Sequence, residues 1–169
     1  MQYGALSTLT QPQGRATCGV DSEVPVGIGV EFAGPVTGTI ELVNAASTIL
    51  ARGRLHVIAM LPCDRCLEKR PVELDIVVNE ECRLAQVDQP TVEGAEDAEP
   101  IPILDADTVD LSELVRQVIA VNIPPRSLCR PDCRGLCPHC GQNRNEGSCS
   151  CDEEQVDERW AGLRSLLDQ

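Results

Sequence analysis

The chain has 169 residues, room for one ordinary domain or a domain with a small appended module, and 27 acids against 14 bases give it a formal charge of −13. That balance argues against a protein built to coat nucleic acid, because phosphate binding draws on Lys and Arg. With Tyr3, Phe32 and Trp160 as the only aromatic residues, the core has to be built from Val, Ile, Leu and Ala, and ten cysteines point to a structural metal as a source of the missing stability.

Residues 1–22 are rich in Gly, Thr, Ser and Gln with no clean period, and they read as a poorly ordered or loosely docked N-terminus. From Val24 the texture changes. Val26, Ile28 and Val30 alternate with Gly27, Gly29 and Glu31, a period of two that predicts a strand. After the turn signal Gly34-Pro35, a second run sets Val36, Gly38, Ile40 and Leu42 on one face, and Thr37, Thr39, Glu41 and Val43 on the other. A third, 48–61, carries Leu55, Val57 and Ala59 opposite Arg52, Arg54 and His56. A fourth, 72–82, carries Val72, Leu74, Ile76 and Val78 opposite Glu73, Asp75, Val77 and Asn79. Residues 23–85 therefore predict an antiparallel meander with a Cys-x2-Cys hairpin between its last two strands.

Residues 86–102 hold Asp88, Glu93, Glu96, Asp97 and Glu99, three prolines and no base, the composition of an acidic, solvated and mobile loop. Within 103–169, Asp110-Leu111-Ser112-Glu113 has the form of a capping box. Leu111, Leu114, Val115, Val118 and Ile119 follow at helical spacing, and Pro124-Pro125 ends the helix. A last amphipathic helix is expected from about Asp157, with Trp160, Leu163, Leu166 and Leu167 on one stripe.

The cysteines carry the chemistry. Cys63-Asp64-Arg65-Cys66 occupies the hairpin turn, and Cys129, Cys133, Cys137, Cys140, Cys149 and Cys151 crowd a short C-terminal stretch. A Cys-x2-Cys turn lets two thiolates face one ion at about 2.3 Å. Cys137, Cys140, Cys149 and Cys151 are close enough in sequence to close one tetrahedral site. Cys63 and Cys66 offer half a site, and Cys129 with Cys133 the other half, clipping the hairpin to the C-terminal segment. The expectation is one or two structural zinc ions, with Cys18 and Cys82 as spare thiols. An iron–sulfur cluster could use the same ligands. Redox catalysis fits poorly, since neither Cys-x2-Cys opens a helix in a βαβ unit. An enclosed all-thiolate site leaves no open position for metal catalysis, and no phosphate loop or nucleophile elbow is present, so no catalytic residue is expected. Arg65, Lys69, Arg70, Arg126, Arg130, Arg134 and Arg144 lie in or beside the clusters, as counter-charges to the thiolates or as a contact patch for RNA or protein. Residues 1–20 lack the pattern of a signal peptide and no stretch approaches a membrane span, so a cytoplasmic protein with reduced thiols and no membrane partner is expected.

The order of these motifs resembles a known family. Cys63-Asp64-Arg65-Cys66-Leu67, then Asp110-Leu111-Ser112, then the run from Leu128 through Cys129, Cys133, Cys137-Pro138-His139-Cys140-Gly141 to Cys149-Ser150-Cys151 resembles the bacterial YceD family, the large-ribosomal-RNA-subunit accumulation proteins. The likeness covers about residues 24–168, and the usual basic leader is short or degraded here. It implies a cytoplasmic, non-enzymatic protein needed for normal levels of large-subunit ribosomal RNA. Family members are often encoded beside a small zinc-ribbon protein of the large subunit.

The fold expected is α+β: a small antiparallel sheet, one or two packed helices and a zinc-stapled C-terminal segment. The function expected is ribosome biogenesis. The acidic surface would chaperone a basic large-subunit ribosomal protein, or act on a pre-ribosomal particle, with contact to rRNA indirect. The alternatives are an RNA-binding zinc-knuckle protein and a zinc-dependent thiol redox sensor.

Overall fold

The computed structural model describes residues 1–4, 6–45, 48–85, 99–102 and 108–151. In chain order the elements are β1 (Gln2–Gly4), α1 (Leu6–Leu9), β2 (Arg15–Ser22), β3 (Glu31–Phe32), β4 (Val36–Asn44), β5 (Ile49–Pro62), β6 (Lys69–Ala85), β7 (Glu99–Pro102), β8 (Thr108–Asp110) and α2 (Ser112–Asn122). The fold is α+β. Its main sheet runs β2-β4-β5-β6-β7 with β3 on the edge of β5, and β1 and β8 form a separate pair. All the pairings are antiparallel except that of β6 with β7.

The meander β4-β5-β6 forms as the alternation predicts. Val36, Ile40 and Leu42 of β4, Leu55, Val57 and Ala59 of β5, and Leu74, Ile76 and Val78 of β6 are all buried on one face. Leu9, Val109, Leu111 and the buried side of α2 (Leu114, Val115, Val118 and Ile119) complete this core. The opposite face keeps Arg52 and Arg54 exposed, and sets the His56 ring Nδ1 3.0 Å from the Asp75 carboxylate. Cys18 and Cys82, the spare thiols, lie in the main core.

Four expectations need correction. The N-terminal 22 residues are not poorly ordered: β2 pairs with β4 along its whole length, from Arg15↔Val43 to Ser22↔Val36, and buries Cys18 and Val20. Its alternation was hidden among Gly, Thr and Ser. β1 pairs with β8, and the Met1 amino nitrogen lies 3.1 Å from the Asp110 carboxylate.

The strand expected from Val24 is instead a series of turns, with only Glu31 and Phe32 paired to β5. Gly27 (φ 96°) and Gly29 (φ 78°) take left-handed conformations that no strand continues, and Val26 is 92 % exposed. The apparent period of two came from glycines serving the turn.

The acidic segment does not run to residue 102 as a loop. Glu99–Pro102 lies parallel to β6, with Cys82 opposite Glu99 and Ala85 opposite Pro102. Prolines at alternate positions, 100 and 102, lack N–H donors along one side and so restrict the segment to a sheet edge. Residues 86–98, and the helix expected near Asp157, lie outside the described residues.

The α2 start shifts by one position. Asp110 Oδ1 accepts the Ser112 N–H at 2.9 Å, while Glu113 turns away to accept from Arg116 Nε (2.8 Å) and Gln117 Nε2 (3.0 Å). The helix stops as the Pro124-Pro125 pair requires, with Ile123 extended at φ −65°, ψ 123°. No helix among the described residues is long and apolar enough to cross a membrane.

Strand packing leaves no room for a side chain at Gly38 or Gly53. A Cβ on Gly53 would lie 2.0 Å from the Thr39 carbonyl oxygen, whereas one on Gly19 meets nothing within 4 Å. Gly53→Ala should therefore cost about 1–3 kcal/mol, while Gly19→Ala should leave stability unchanged or raise it by up to about 1 kcal/mol. Urea denaturation midpoints of the two variants check the contrast.

Candidate metal centres

The eight thiols singled out by their spacing come together in two groups. Cys63, Cys66, Cys129 and Cys133 form one, and Cys137, Cys140, Cys149 and Cys151 the other, with all sulfurs of a group within 4.8 Å of one another. In the first, the split site, Cys63 Sγ lies 3.8 Å from Cys133 Sγ and Cys66 Sγ 3.7 Å from Cys129 Sγ. Four thiolates around one ion at about 2.3 Å would have tetrahedral edges of about 3.8 Å. These distances are too long for disulfides and fit a single thiophilic ion. Both groups can hold a metal ion. His139 is exposed and belongs to neither group.

Each group begins with the same turn. Leu67 N–H donates to the Cys63 carbonyl (2.8 Å), and Gly141 N–H to the Cys137 carbonyl (2.9 Å). The residue after the second cysteine is left-handed in both, Gly141 at φ 73° and Leu67 at φ 60°. Glycine takes that conformation without strain; Leu67 does so with its side chain 64 % exposed.

The hairpin tip is tied to the C-terminal segment by more than sulfur. Asp64 N–H donates to the Ser127 carbonyl (2.8 Å), and Asp64 Oδ2 accepts the Ser127 N–H (2.9 Å). Arg65 Nη1 donates to the Cys133 carbonyl (2.8 Å), and the Arg65 carbonyl accepts the Leu136 N–H (3.0 Å). Arg70 Nη1 donates to the carbonyls of Leu128 and Cys129, the latter at 2.7 Å. These two arginines, read from the sequence as counter-charges or a contact patch, hold backbone carbonyls. Lys69 pairs with Glu31 at 2.8 Å, and Arg130 lies 3.7 Å from Asp132.

The C-terminal site is built on a small ribbon. Leu136 bridges Asn143, Cys137 N–H donates to the Gln142 carbonyl (2.9 Å) and Arg144 N–H to the Gly135 carbonyl (2.9 Å). Burial differs between the two. Cys63, Cys66 and Cys133 are buried against Leu128, Cys129 and Leu136, whereas Cys140 is exposed and Cys149 and Cys151 are half-buried. Asn145, which the sequence reading passed over, donates from Nδ2 to Cys133 Sγ at 3.3 Å. Nothing in the spacing of an Asn in a polar loop could have singled it out.

Backbone amides and neighbouring sulfurs pull the thiols apart in acidity. The N–H groups of Cys129 and Cys66 lower Cys63 to about 6. Those of Cys140 and His139 lower Cys137 to about 6. Cys133 is raised by burial, yet lies below its ordinary value because the Asn145 amide and the Gly135 N–H outweigh it. Cys129 is pushed up to about 12 by the Cys133 thiol and then by burial. Cys151 is pushed up to about 12 by Cys140 and then by burial. Although the Glu68 N–H lowers Cys66, burial and the Cys63 thiol hold it above its ordinary range. Four like charges cannot share so small a space without a cation, so part of each group keeps its protons until one arrives.

Comparison with known proteins places this constellation. The family described as "Large ribosomal RNA subunit accumulation protein YceD" matches residues 51–167, a span that holds both thiol groups. The chain belongs to the YceD family. It is also similar to an uncharacterized protein of Mycobacterium tuberculosis (strain ATCC 25618 / H37Rv), 28 % identical over 148 residues, covering 85 % of this chain and 70 % of that one. A chloroplastic large ribosomal RNA subunit accumulation protein YCED homolog 1 of Zea mays is 24 % identical over 180 residues, 89 % of this chain and 61 % of its own. Its Arabidopsis thaliana namesake is 31 % identical over 61 residues, 36 % of this chain and 19 % of its own. No solved structure matches the chain. The YceD match begins inside β5, so it covers the β5–β6 hairpin, α2 and the thiol segment.

The acidities set the pH dependence of metal uptake. At about pH 7.5 a divalent metal displaces at least the protons of Cys66, Cys129 and Cys151, so loading should acidify the medium. Affinity should fall as pH drops, and most steeply below about 6, where Cys63 and Cys137 take up protons as well. Calorimetric titration in buffers of different ionisation enthalpy measures the proton count directly.

Proposed function

We propose that the chain is a non-enzymatic factor in large ribosomal subunit biogenesis, which supports accumulation of large-subunit rRNA by holding a basic ribosomal protein on its acidic surface. Two structural zinc ions staple its C-terminal segment. The family name supports the ribosomal context. The sulfur spacing of 3.7 and 3.8 Å in the split site supports a single ion there rather than a multi-iron cluster. Enclosure of that site by four thiols leaves no position for a substrate, which supports a structural role.

One observation carries the choice of a protein partner over RNA. The bases nearest the split site already have partners within the chain: Arg65 and Arg70 on carbonyls, Lys69 on Glu31, Arg130 beside Asp132. Exposed Glu73, Asp75, Glu80 and Glu81 line β6, and each zinc with four thiolates adds a net −2 to a chain already at −13. Such a field repels phosphates and steers in a basic protein. Contact with RNA through the thiol segment finds support in one place, a cleft of about 350 Å³ lined by Arg134, Arg144, Gly147, Ser148 and Cys149.

Elemental analysis of the purified protein should give two zinc ions per chain, and one ion with four additional reactive thiols would remove the split site. In binding titrations at two salt concentrations, a basic large-subunit ribosomal protein should bind more tightly than an rRNA fragment. Arg130→Ala with Arg134→Ala should leave that binding intact, since neither side chain belongs to the acidic surface. Tight, salt-sensitive RNA binding abolished by the same pair of changes would overturn the reading.

A further inference from the structure

The two thiol groups are joined by one side chain. Asn145 lies in the eight-residue interval between Cys140 and Cys149, so it belongs by sequence to the loop that the C-terminal site closes. Its amide nevertheless reaches the other site, where Nδ2 donates to Cys133 Sγ at 3.3 Å. The orientation of the amide is fixed on every side. Oδ1 accepts the Arg134 N–H at 2.9 Å, and Nδ2 also donates to Asn143 Oδ1 at 2.8 Å. Asn143 Oδ1 accepts the Asn145 N–H as well, at 3.0 Å, which pins the backbone at the same point. The oxygen facing a backbone donor leaves the nitrogen facing sulfur, so the bond to Cys133 runs from amide to thiolate.

We infer that Asn145 is a positioning residue that couples the two metal centres, so that filling the C-terminal site raises the affinity of the split site. The inference rests on reading both groups as metal centres. A metal on Cys137, Cys140, Cys149 and Cys151 ties down both ends of the interval 141–148 and removes the entropy of closing it. The closed loop then presents Asn145 to Cys133 without further ordering. A hydrogen bond from a neutral amide to a thiolate stabilises the charged, metal-binding form of the sulfur, which is the ordinary effect of a partner behind a metal ligand. Linkage makes the effect mutual: a filled split site holds Cys133 where it anchors Asn145, and raises the affinity of the C-terminal site by the same factor.

Cobalt(II), whose sulfur-to-metal charge-transfer absorption reports four-thiolate sites, is the probe, titrated into the full chain against a competing chelator. Asn145→Asp keeps the oxygen that faces the Arg134 N–H but replaces the donor with a carboxylate. It should weaken the split site by about 10–100-fold and move that site's charge-transfer band to lower energy, because a thiolate without its hydrogen bond gives up electron density more readily. Cys140→Ser, which breaks the C-terminal site, should weaken the split site by a comparable factor. Combining it with Asn145→Asp should add little, since both remove the same link. Cys63→Ser should in turn weaken the C-terminal site. Unchanged affinity and an unmoved band in Asn145→Asp, or fully additive losses in the double variant, would overturn the coupling while leaving two metal centres in place. A wild-type chain that takes up no cobalt would overturn the metal reading itself, and the coupling with it.

Discussion

The tip of the β5–β6 hairpin is held by sulfur where a core would normally hold it. β4 covers β5 only as far as the Thr37↔His56 pair, and β3 adds two more pairs, yet the hairpin continues to Pro62↔Lys69. Beyond the sheet it rests on the segment 127–136. Between them lie three buried cysteines and the flanking Leu128, Cys129 and Leu136. Two leucines bury too little apolar surface to fix a loop segment, at about 25 cal/mol per Å². Four thiols within 4.8 Å of one another add repulsion once they ionise. The hydrogen bonds of Asp64, Arg65 and Arg70 hold the same join, and a cation bound by the four thiols would relieve their repulsion and add its binding free energy to it.

What the sequence made legible follows from how local each signal is. β4, β5 and β6 could be read because each carries its own alternation, with one face apolar, and α2 because its stripe and its Pro124-Pro125 stop lie within a single stretch. The two thiol groups could be divided by spacing, since Cys137 to Cys151 close on themselves and the two remaining pairs have only each other. The failures were of another kind. β2 and the false strand at 24–31 look alike in composition, and only the left-handed Gly27 and Gly29 separate them. β7 and the β1–β8 pair owe their existence to partners far along the chain, about which a local window carries nothing. Asn145, Arg65 and Arg70 belong to the same class, since their roles depend on which loop the thiols bring beside them.

The two centres differ in how they meet solvent. The split site is enclosed, with Cys129 the only thiol that is not fully buried, and it joins elements separated by more than sixty residues. The C-terminal site closes a short ribbon and exposes Cys140. Opening the first costs the long-range join. Opening the second costs only local order, apart from what passes through Asn145 to Cys133. Leu67 and Gly141 show the same contrast at the level of one residue, since an identical turn is strained at the first centre and relaxed at the second.

Charge ties this module to the rest of the chain. An arginine that donates to backbone carbonyls, as Arg65 and Arg70 do, keeps its positive charge near the thiolates while losing its freedom to reach a phosphate. The stapling is thus done by bases, in a chain with nearly twice as many acids as bases. The acids on β6 have few such duties. Glu73 and Asp75 are exposed on the open face, where Asp75 meets the His56 ring, and Glu80 is exposed beside α2. The exposed face of β6 is acidic, while β5 beside it exposes Arg52 and Arg54. The acids of β6 give a cationic group an electrostatic approach to the sheet, while the contacts of Asp64, Arg65 and Arg70 join the sheet to the C-terminal segment.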